Sequence, residues 1–410
     1  LRRKRENTFM TLLRVEEALE RVLELCTPLP EETVSVEDAV GRALVTDFVA
    51  HRTLPPWDNS AMDGYAVRTV DLEHGPVPLT VIERIFAGQR PSLPLEEGAC
   101  ARIMTGAPLP AGADAVVMQE RVQVLDEERI EVLEVPTPGT NIRRKGEDVR
   151  EGHRLLEAGR PVGMAEAGAL WSQGVTRVVV RRRPRVAIVA SGDELCNAWE
   201  EPHHRIVDIN SPMIAQGVVR AGGLPTTLGV VPDRLDALVS AFARGLEADV
   251  LVALSGASVG ERDYTRDALK EAGVAMDFWR VAMKPGKPLA VGRKDGTLVF
   301  GLPGNPVSAM VTFELFVRPA LRALQGLPPT PRGLPGRAAV PLLKAKGLRH
   351  FLRATVEELD GALWATPLPN QSSGSLSSAL GATHLISLGP DDEELGIGSE
   401  IKLIPLSWGE

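Results

Sequence analysis

The sequence predicts a multidomain chain of α/β and β parts. It expects a three-layer α/β domain on a mostly parallel sheet, a β-rich inserted domain before it, and a small C-terminal β barrel or sandwich. Three observations lead there. The 410 residues exceed what one hydrophobic core organises, roughly 250–300 residues. From Arg185 onward, short apolar runs alternate with helical patterns, as strands do when crossover helices cover both faces of a parallel sheet. On either side of that stretch the pattern shortens to β-like runs punctuated by Gly and Pro.

The elements follow in order. In "TLLRVEEALERVLEL", Val15, Leu19, Val22 and Leu23 recur at helical spacing. "ARIMTG" and "DAVVMQE" read as strands around the turn-rich "APLPAGA". A short helix is expected near Met164–Gln173, then a strand in "VTRVVVRRRP". "RVAIVA", "LPTTLGVV" and "DVLVAL" read as strands. "SPMIAQGVVRAGG", "RLDALVSAFARGLEA" and "DYTRDALKEAG" read as the helices between and after them. Gly222 and Gly223 supply a stop for the first of these helices. "KPLAVGRKDGTLVFG" reads as a hairpin with Asp295-Gly296 in its turn. "PVSAMVTFELFVRPALRAL" reads as one long helix, and "GLPPTPRGLPG" as a linker. The expected partition is an N-terminal extension and helix over 1–29, a linking domain from 30–53 and 140–180, and a β-rich domain over 54–139. The α/β domain takes 181–327 and the C-terminal β domain 328–410.

Composition excludes several functions. The net charge is −8, there is no long basic tract, and aromatics make up only 4%, which argues against nucleic acid and anionic membrane as partners. Cys26, Cys100 and Cys196 form no CxxC pair, so neither a disulfide framework nor a zinc site is expected. No apolar run approaches the ~20 residues of a membrane span. "LRRKRENTF" is not followed by the apolar stretch of a signal peptide. Met10 is a candidate natural start, and the expected compartment is the reducing cytoplasm.

Ligands of open α/β sheets sit beyond the carboxyl ends of the strands, and four polar loops fall there. "SGDEL" carries Asp193 and Glu194. "SGASVGERDY" carries Ser255, Ser258, Glu261 and Asp263. "KPGKP" carries Lys284 and Lys287. "LPGNPVS" carries Asn305 and Ser308. Any one such loop is explained by the demands of turns and caps; four at the same edge of one sheet suggest a site. Asn305 suits an N-cap and Pro306 the first helical position, so free N–H groups and two lysines would favour an anion. Acids beside an anion conflict unless a cation lies between them. Mg²⁺, a hard ion, resolves the conflict, with Asp193, Glu194, Asp208, Glu261 and Asp263 as the acids open to it. Gly256–Gly260 spells G-x-S-x-G, but Ser258 is several residues from both the strand end and the next helix, unlike a nucleophile elbow. The β-rich region has its own polar clusters in "PPWDNSAMDGYAV", around Thr105, and in "NIRRKGEDVREG".

Taken together, "PPWDNSAMDGYAV", "ARIMTGAPLPAGADAVVMQE", "NIRRKGEDVREG", "SGDEL", "SGASVGERDY", "MKPGKPLAVG" and "GLPGNPVSAMVTFELFVRPAL" resemble the molybdopterin molybdenumtransferase family, the MoeA proteins and the gephyrin E domain. The motifs span Pro55 to Leu321, with weaker matches in "LRHFLRA" and "NQSSGSLSS". One loop departs from the family pattern. "SGASVGE" is a residue shorter than the usual "SGGVSVGE", so the loop that carries Ser258 is expected to take a different path from the family's.

The resemblance implies an elongated protomer in a homodimer, with the site between the α/β domain of one subunit and the β region of the other. It implies insertion of molybdate into adenylylated molybdopterin, with Mg²⁺-dependent release of AMP. Asp63, Thr105 and Asp148 would be the β-rich contribution, with Asp63 crossing the interface. Glu194 and Asp263 would serve the metal and phosphate site. Lys284 and Lys287 would face substrate anions. Ser258, Ser308, Arg349 and Ser375 would touch molybdate. Molybdopterin adenylyltransferase and molybdenum enzymes or their chaperones are implied as transient partners. The alternatives are a pterin-binding scaffold without turnover and the adenylyltransferase itself.

Overall fold

Alternate residues of the strand Arg185–Ser191 enter different cores, and this sets the layers of the α/β domain. Val186, Ile188 and Ala190 pack in one apolar cluster, while Ala187 and Val189 pack in another. Val250–Ser255 does the same, with Val252 on one side and Leu251 and Ala253 on the other. Strands buried on both faces have no reason to alternate apolar with polar residues, hence their continuous apolar runs. The structure is a computed structural model that describes residues 12–75, 77–197, 199–201, 203–255, 264–329 and 333–408. Its contacts divide it into two units: Leu1–Val45, Gly159–Met164 and Arg177–Glu410 in one, Thr46–Ala158 and Ala165–Thr176 in the other.

In the first unit the α/β sheet has six strands, ordered Leu224–Val231, Arg185–Ser191, Val250–Ser255, Thr297–Pro303, Ala290–Lys294 and Ala275–Phe278. The first four are parallel. The last two are added antiparallel, the first of them by the hairpin whose turn holds Asp295 at φ 50°. The helices Asn210–Arg220 and Pro306–Thr312 cover one face; Leu235–Gly245 and Tyr264–Glu271 cover the other. The N-terminal helix Val15–Glu24 adds Ala18 and Val22 to the first cluster.

One helix differs from expectation. The segment read as continuous from Pro306 changes to a π turn at Phe313–Val317 before resuming as Arg318–Leu324. Pro319 lies just after the wide turn; it has no N–H to donate and its ring crowds the preceding turn, and a π bulge accommodates both. The buried Glu314 in this turn accepts from Arg318 at 2.7 Å and from the Ser407 hydroxyl at 2.6 Å, tying the segment that follows the strand Glu400–Pro405 to the helix.

The C-terminal region is a barrel and not a sandwich. Arg349–Leu359 pairs with Ala362–Pro367 along its second half and with His384–Leu388 along its first. Leu334–Ala338 and Glu400–Pro405 complete a closed ring of five strands. Closure removes the exposed strand edges that a small sheet would otherwise leave. One further pairing joins the barrel to the α/β domain: Met283–Lys284 runs parallel to Arg349–His350, with Lys284 opposite His350.

The second unit holds another six-stranded sheet, ordered Ala115–Met118, Gly64–Val67, Ala99–Ile103, Pro78–Ile85, Arg129–Val132 and Val122–Val124. Tyr65, Val67, Cys100 and Val117 pack on one face; Ala66, Ala101, Ile103 and Val116 pack on the other.

Candidate active site

A cleft of about 1620 Å³ opens at the carboxyl ends of the parallel strands, with the barrel forming its other wall. Of the residues expected from sequence, Glu194, Asp208, Lys284, Lys287, Asn305 and Ser308 line it. Ser258, Glu261 and Asp263 lie outside the described residues.

Glu194 follows the strand end at Ser191. A Cβ at residue 192 would lie 2.6 Å from Glu194 Oε2, so glycine there leaves room for the carboxylate to fold back over this turn. Lys284 and Lys287 are both exposed to the cleft, and neither ammonium has a hydrogen bond or ion pair among the described residues. Gly286 between them has φ +102°, and a Cβ there would meet Thr312 Cγ2 at 2.6 Å. The loop is therefore packed tightly underneath while its two cations face outward.

The acids divide by task. Asp208 is 9% exposed, and its Oδ1 accepts the Ser211 N–H at 3.1 Å at the start of the helix Asn210–Arg220. That is a capping role, which leaves its second oxygen for a ligand. Asp193 accepts the Asp233 N–H at 3.2 Å and is not a wall of the cleft.

Asp233 was missed by the sequence reading. It follows Leu224–Val231, the next parallel strand, so the strand-end rule that found the other four loops would have found this one. Burial pushes its carboxyl above the usual range, and the charges of Asp193 and Glu194 add to the effect. Three acids thus face one another here. Among the described residues, no three potential ligands form a complete metal site.

The sign of this repulsion is testable. A carboxyl whose folded pKa is raised destabilises the folded state once it ionises, so stability falls as pH rises through the window above its unfolded value of about 3.9. Asp233→Asn is therefore expected to raise the thermal midpoint at neutral pH and leave it unchanged near pH 3. Equal midpoints at pH 7 would contradict the upward shift of the Asp233 carboxyl.

The barrel wall contributes Lys344, Lys346, His350 and Gln371–Gly374. None of these was singled out from sequence except the serine-rich loop as a whole. Asn305 occupies the backbone N-cap position, but its side chain does not cap the helix; its Nδ2 reaches Ser373 Oγ at 3.2 Å. The Val307 N–H donates to the Ser373 carbonyl at 3.1 Å. The barrel loop has thus taken one of the donors expected to be free for an anion.

Two expected residues lie elsewhere. Arg349 donates to Ser387 Oγ at 3.0 Å and pairs with Glu16 at 2.8 Å, outside the lining. Ser375 bonds Asn370 and Ser377, while Ser372 and Ser373 face the cleft. The arginine at the serine loop is Arg353, which is fully buried. It donates to the carbonyls of Asn370, Ser372 and Ser378 and to Ser378 Oγ, at 3.0–3.3 Å.

In the second unit, Asp63 and Thr105 meet. Asp63 Oδ1 accepts the Thr105 N–H and hydroxyl, both at 2.7 Å. These two bonds, the N–H foremost, hold the carboxyl below its ordinary range. Asp58 is structural: it accepts the Lys145 N–H at 2.8 Å and the Arg144 guanidinium at 2.7 Å, fixing the "NIRRKGEDVREG" segment to the loop. Asp148, in that segment, is exposed, and its N–H donates to the Leu54 carbonyl at 3.2 Å.

A lysine-lined cleft at the carboxyl edge of a doubly wound sheet, walled by a closed barrel, is the site of an α/β protein with the charge to suit an anionic small molecule. The chain matches three family descriptions in succession: "MoeA N-terminal region (domain I and II)" over 13–174, "Probable molybdopterin binding domain" over 187–323, and "MoeA C-terminal region (domain IV)" over 335–406. It is 36% identical over 403 residues to molybdopterin molybdenumtransferase 2 of Mycobacterium tuberculosis H37Rv, covering 94% of this chain and 97% of the relative. It is 35% identical over 390 residues to molybdopterin molybdenumtransferase of Bacillus subtilis 168, covering 92% and 90%. The crystal structure of a molybdopterin biosynthesis moeA protein from Pyrococcus horikoshii OT3 superposes with a TM-score of 0.82 at 29% identity, over 96% of this chain and all of that one. The chain belongs to the molybdopterin molybdenumtransferase (MoeA) family, transferases of molybdenum cofactor biosynthesis. Among the described residues, no helix is long and apolar enough to cross a membrane.

Proposed function

We propose that this chain inserts molybdate into adenylylated molybdopterin with Mg²⁺-dependent release of AMP. The observation that supports it most is the combination, in one cleft, of Lys284 and Lys287, unpaired among the described residues, with the carboxylates of Glu194 and Asp208. Lys284 and Lys287 bind the anionic groups of the substrates as point charges. Ser308, buried at the first turn of its helix, offers a hydroxyl beside them. Glu194 with Asp263, and the second oxygen of Asp208, would hold Mg²⁺, a hard cation that carboxylate oxygens suit. Held by these residues, Mg²⁺ would supply charge neutralisation at the phosphoanhydride that joins AMP to the pterin phosphate. Cleaving a phosphoanhydride calls for positioning and charge neutralisation more than for a protein nucleophile, which fits a cleft whose reactive groups are cations and acids.

We further propose a homodimer in which the Asp63–Thr105 pair and Asp148 of one copy complete the cleft of the other. Asp63→Ala is expected to slow AMP release by about 10–100-fold, since it removes a charge-assisted contact, and to leave the fold unchanged because the side chain is exposed. Mixing Asp63→Ala with a Lys287→Ala variant should restore part of the activity through hybrid dimers. No recovery on mixing, with dimers confirmed by sedimentation, would rule out the shared site.

The reaction itself is tested by supplying adenylylated molybdopterin, molybdate and Mg²⁺ and following AMP. Molybdate-stimulated release supports the proposal. Pterin binding without release points to a scaffold, and adenylylated product formed from ATP points to an adenylyltransferase.

A further inference from the structure

We propose that His350 is a further substrate-binding residue, an imidazole from the barrel that joins Lys284 on the same oxyanion. The inference rests on the cleft proposed above as the site. His350 is half-buried and lines that cleft. It stands directly across the parallel strand pair from Lys284, which lines the cleft too. Among the described residues, the pairing is the one place where a strand from the α/β domain's part of the chain hydrogen-bonds to the barrel ring. A ligand held by both residues would therefore touch both domains at their shared strand.

The groups around His350 are mostly cationic. Lys284 faces it from the Met283–Lys284 strand, and Lys344 from the loop after Leu342–Leu343. Lys344 Nζ is held by the carbonyls of Ala345 and Pro390, at 3.1 and 3.0 Å. Lys346 in the same loop is paired with Glu393, and the neighbouring Arg349 is paired with Glu16. The other neighbouring strand is apolar at this position, where Leu388 is the register partner. Burial first, then the charges of Lys284 and Lys344, hold His350 below its ordinary pKa. In the free protein the ring is neutral around neutral pH. A dianion between it and Lys284 reverses that balance, and the ring takes up a proton as the anion binds.

This makes oxyanion affinity pH-dependent in a definite direction. Between the free and the bound pKa of His350, affinity should fall by up to about tenfold per pH unit as pH rises. Calorimetric titration of the full-length protein with sodium molybdate, and separately with sodium sulfate, reads this directly. Both probes are dianions across neutral pH, and buffers of different ionisation heat report protons taken up. The wild type is expected to take up a fraction of a proton approaching one. His350→Gln should bind several-fold more weakly at pH 6.5 with no uptake. His350→Lys, permanently charged, should keep the affinity with no uptake. Equal proton uptake in the wild type and His350→Gln, or none in either, overturns the inference. Sulfate-linked uptake that depends on His350, without any binding of molybdate, would preserve the role of His350 and sink the molybdate reading of the cleft.

Discussion

Alanine at Glu194 is expected to reduce Mg²⁺-dependent AMP release by about 10²–10³-fold, the usual loss when one preorganised electrostatic group is taken from an active site. The fold should not suffer. The Glu194 side chain is exposed to the cleft and carries no hydrogen bond among the described residues; its backbone carbonyl, which accepts the Ile206 N–H at 2.6 Å, is untouched by the substitution. Three controls distinguish a cation site from general damage. Glu194→Gln keeps the shape and loses the charge, so it should match Glu194→Ala and be partly rescued by raised Mg²⁺. Asp193→Ala removes an acid that supports the Asp233 backbone and does not line the cleft, so its loss should stay within about tenfold. Asp263→Ala should resemble Glu194→Ala. Wild-type turnover by a folded Glu194→Ala protein, measured at limiting Mg²⁺, would remove Glu194 from the proposed metal site.

The parts of this molecule that were legible in its sequence are those set by local pattern. The α/β domain was read element by element because a strand buried on both faces needs an unbroken apolar run, and an amphipathic helix needs its period; both signals lie within a dozen residues. The lysines of "KPGKP" were legible for the same reason, since a strand-end loop can be located from the strand before it. What escaped depends on partners distant in sequence. Asp233 ends a strand as plainly as Glu194 does, yet "VVPD" lacks the glycines and serines that draw attention to a loop. His350 became relevant only through the pairing of Met283–Lys284 with Arg349–His350, a contact across 66 residues that no periodicity records. The barrel was expected only as barrel or sandwich, because closure is decided by one strand, Arg349–Leu359, being long enough to bend between two neighbours. Arg349 and Arg353 fall on the same side of that strand by its period of two. Sequence could not say which of them the serine loop would cover.

Arg353 carries the other large expected effect. A fully buried guanidinium with no carboxylate partner is rare, and burial lowers its pKa below the ordinary arginine value. Its Nε and Nη2 donate to carbonyl and hydroxyl oxygens of one loop, Asn370 to Ser378, while its Nη1 is buried with no partner among the described residues. The Arg353 backbone joins in: its N–H donates to Gln371 Oε1 at 3.0 Å, and its carbonyl accepts from Gln371 Nε2 at 2.9 Å. Without this cation, the carbonyls of Asn370 and Ser378 would lose the donor they have here, while that of Ser372 would keep the Ser378 hydroxyl. Each stranded acceptor costs about 1–3 kcal/mol. Arg353→Met, which keeps the apolar stem, is therefore expected to destabilise the loop by about 3–5 kcal/mol. The readout is hydrogen exchange of the loop amides, which should lose about 10²–10³-fold of their protection. The same loop presents Ser373 to Asn305 and Val307 at the cleft, so molybdate affinity should fall alongside, even though Arg353 does not line the cleft. Arg353→Lys, with a shorter reach and only three donors, should fall between wild type and Arg353→Met in both measurements. Unchanged loop protection in Arg353→Met would mean that the loop is held by its own serine contacts and that the buried cation serves only the barrel.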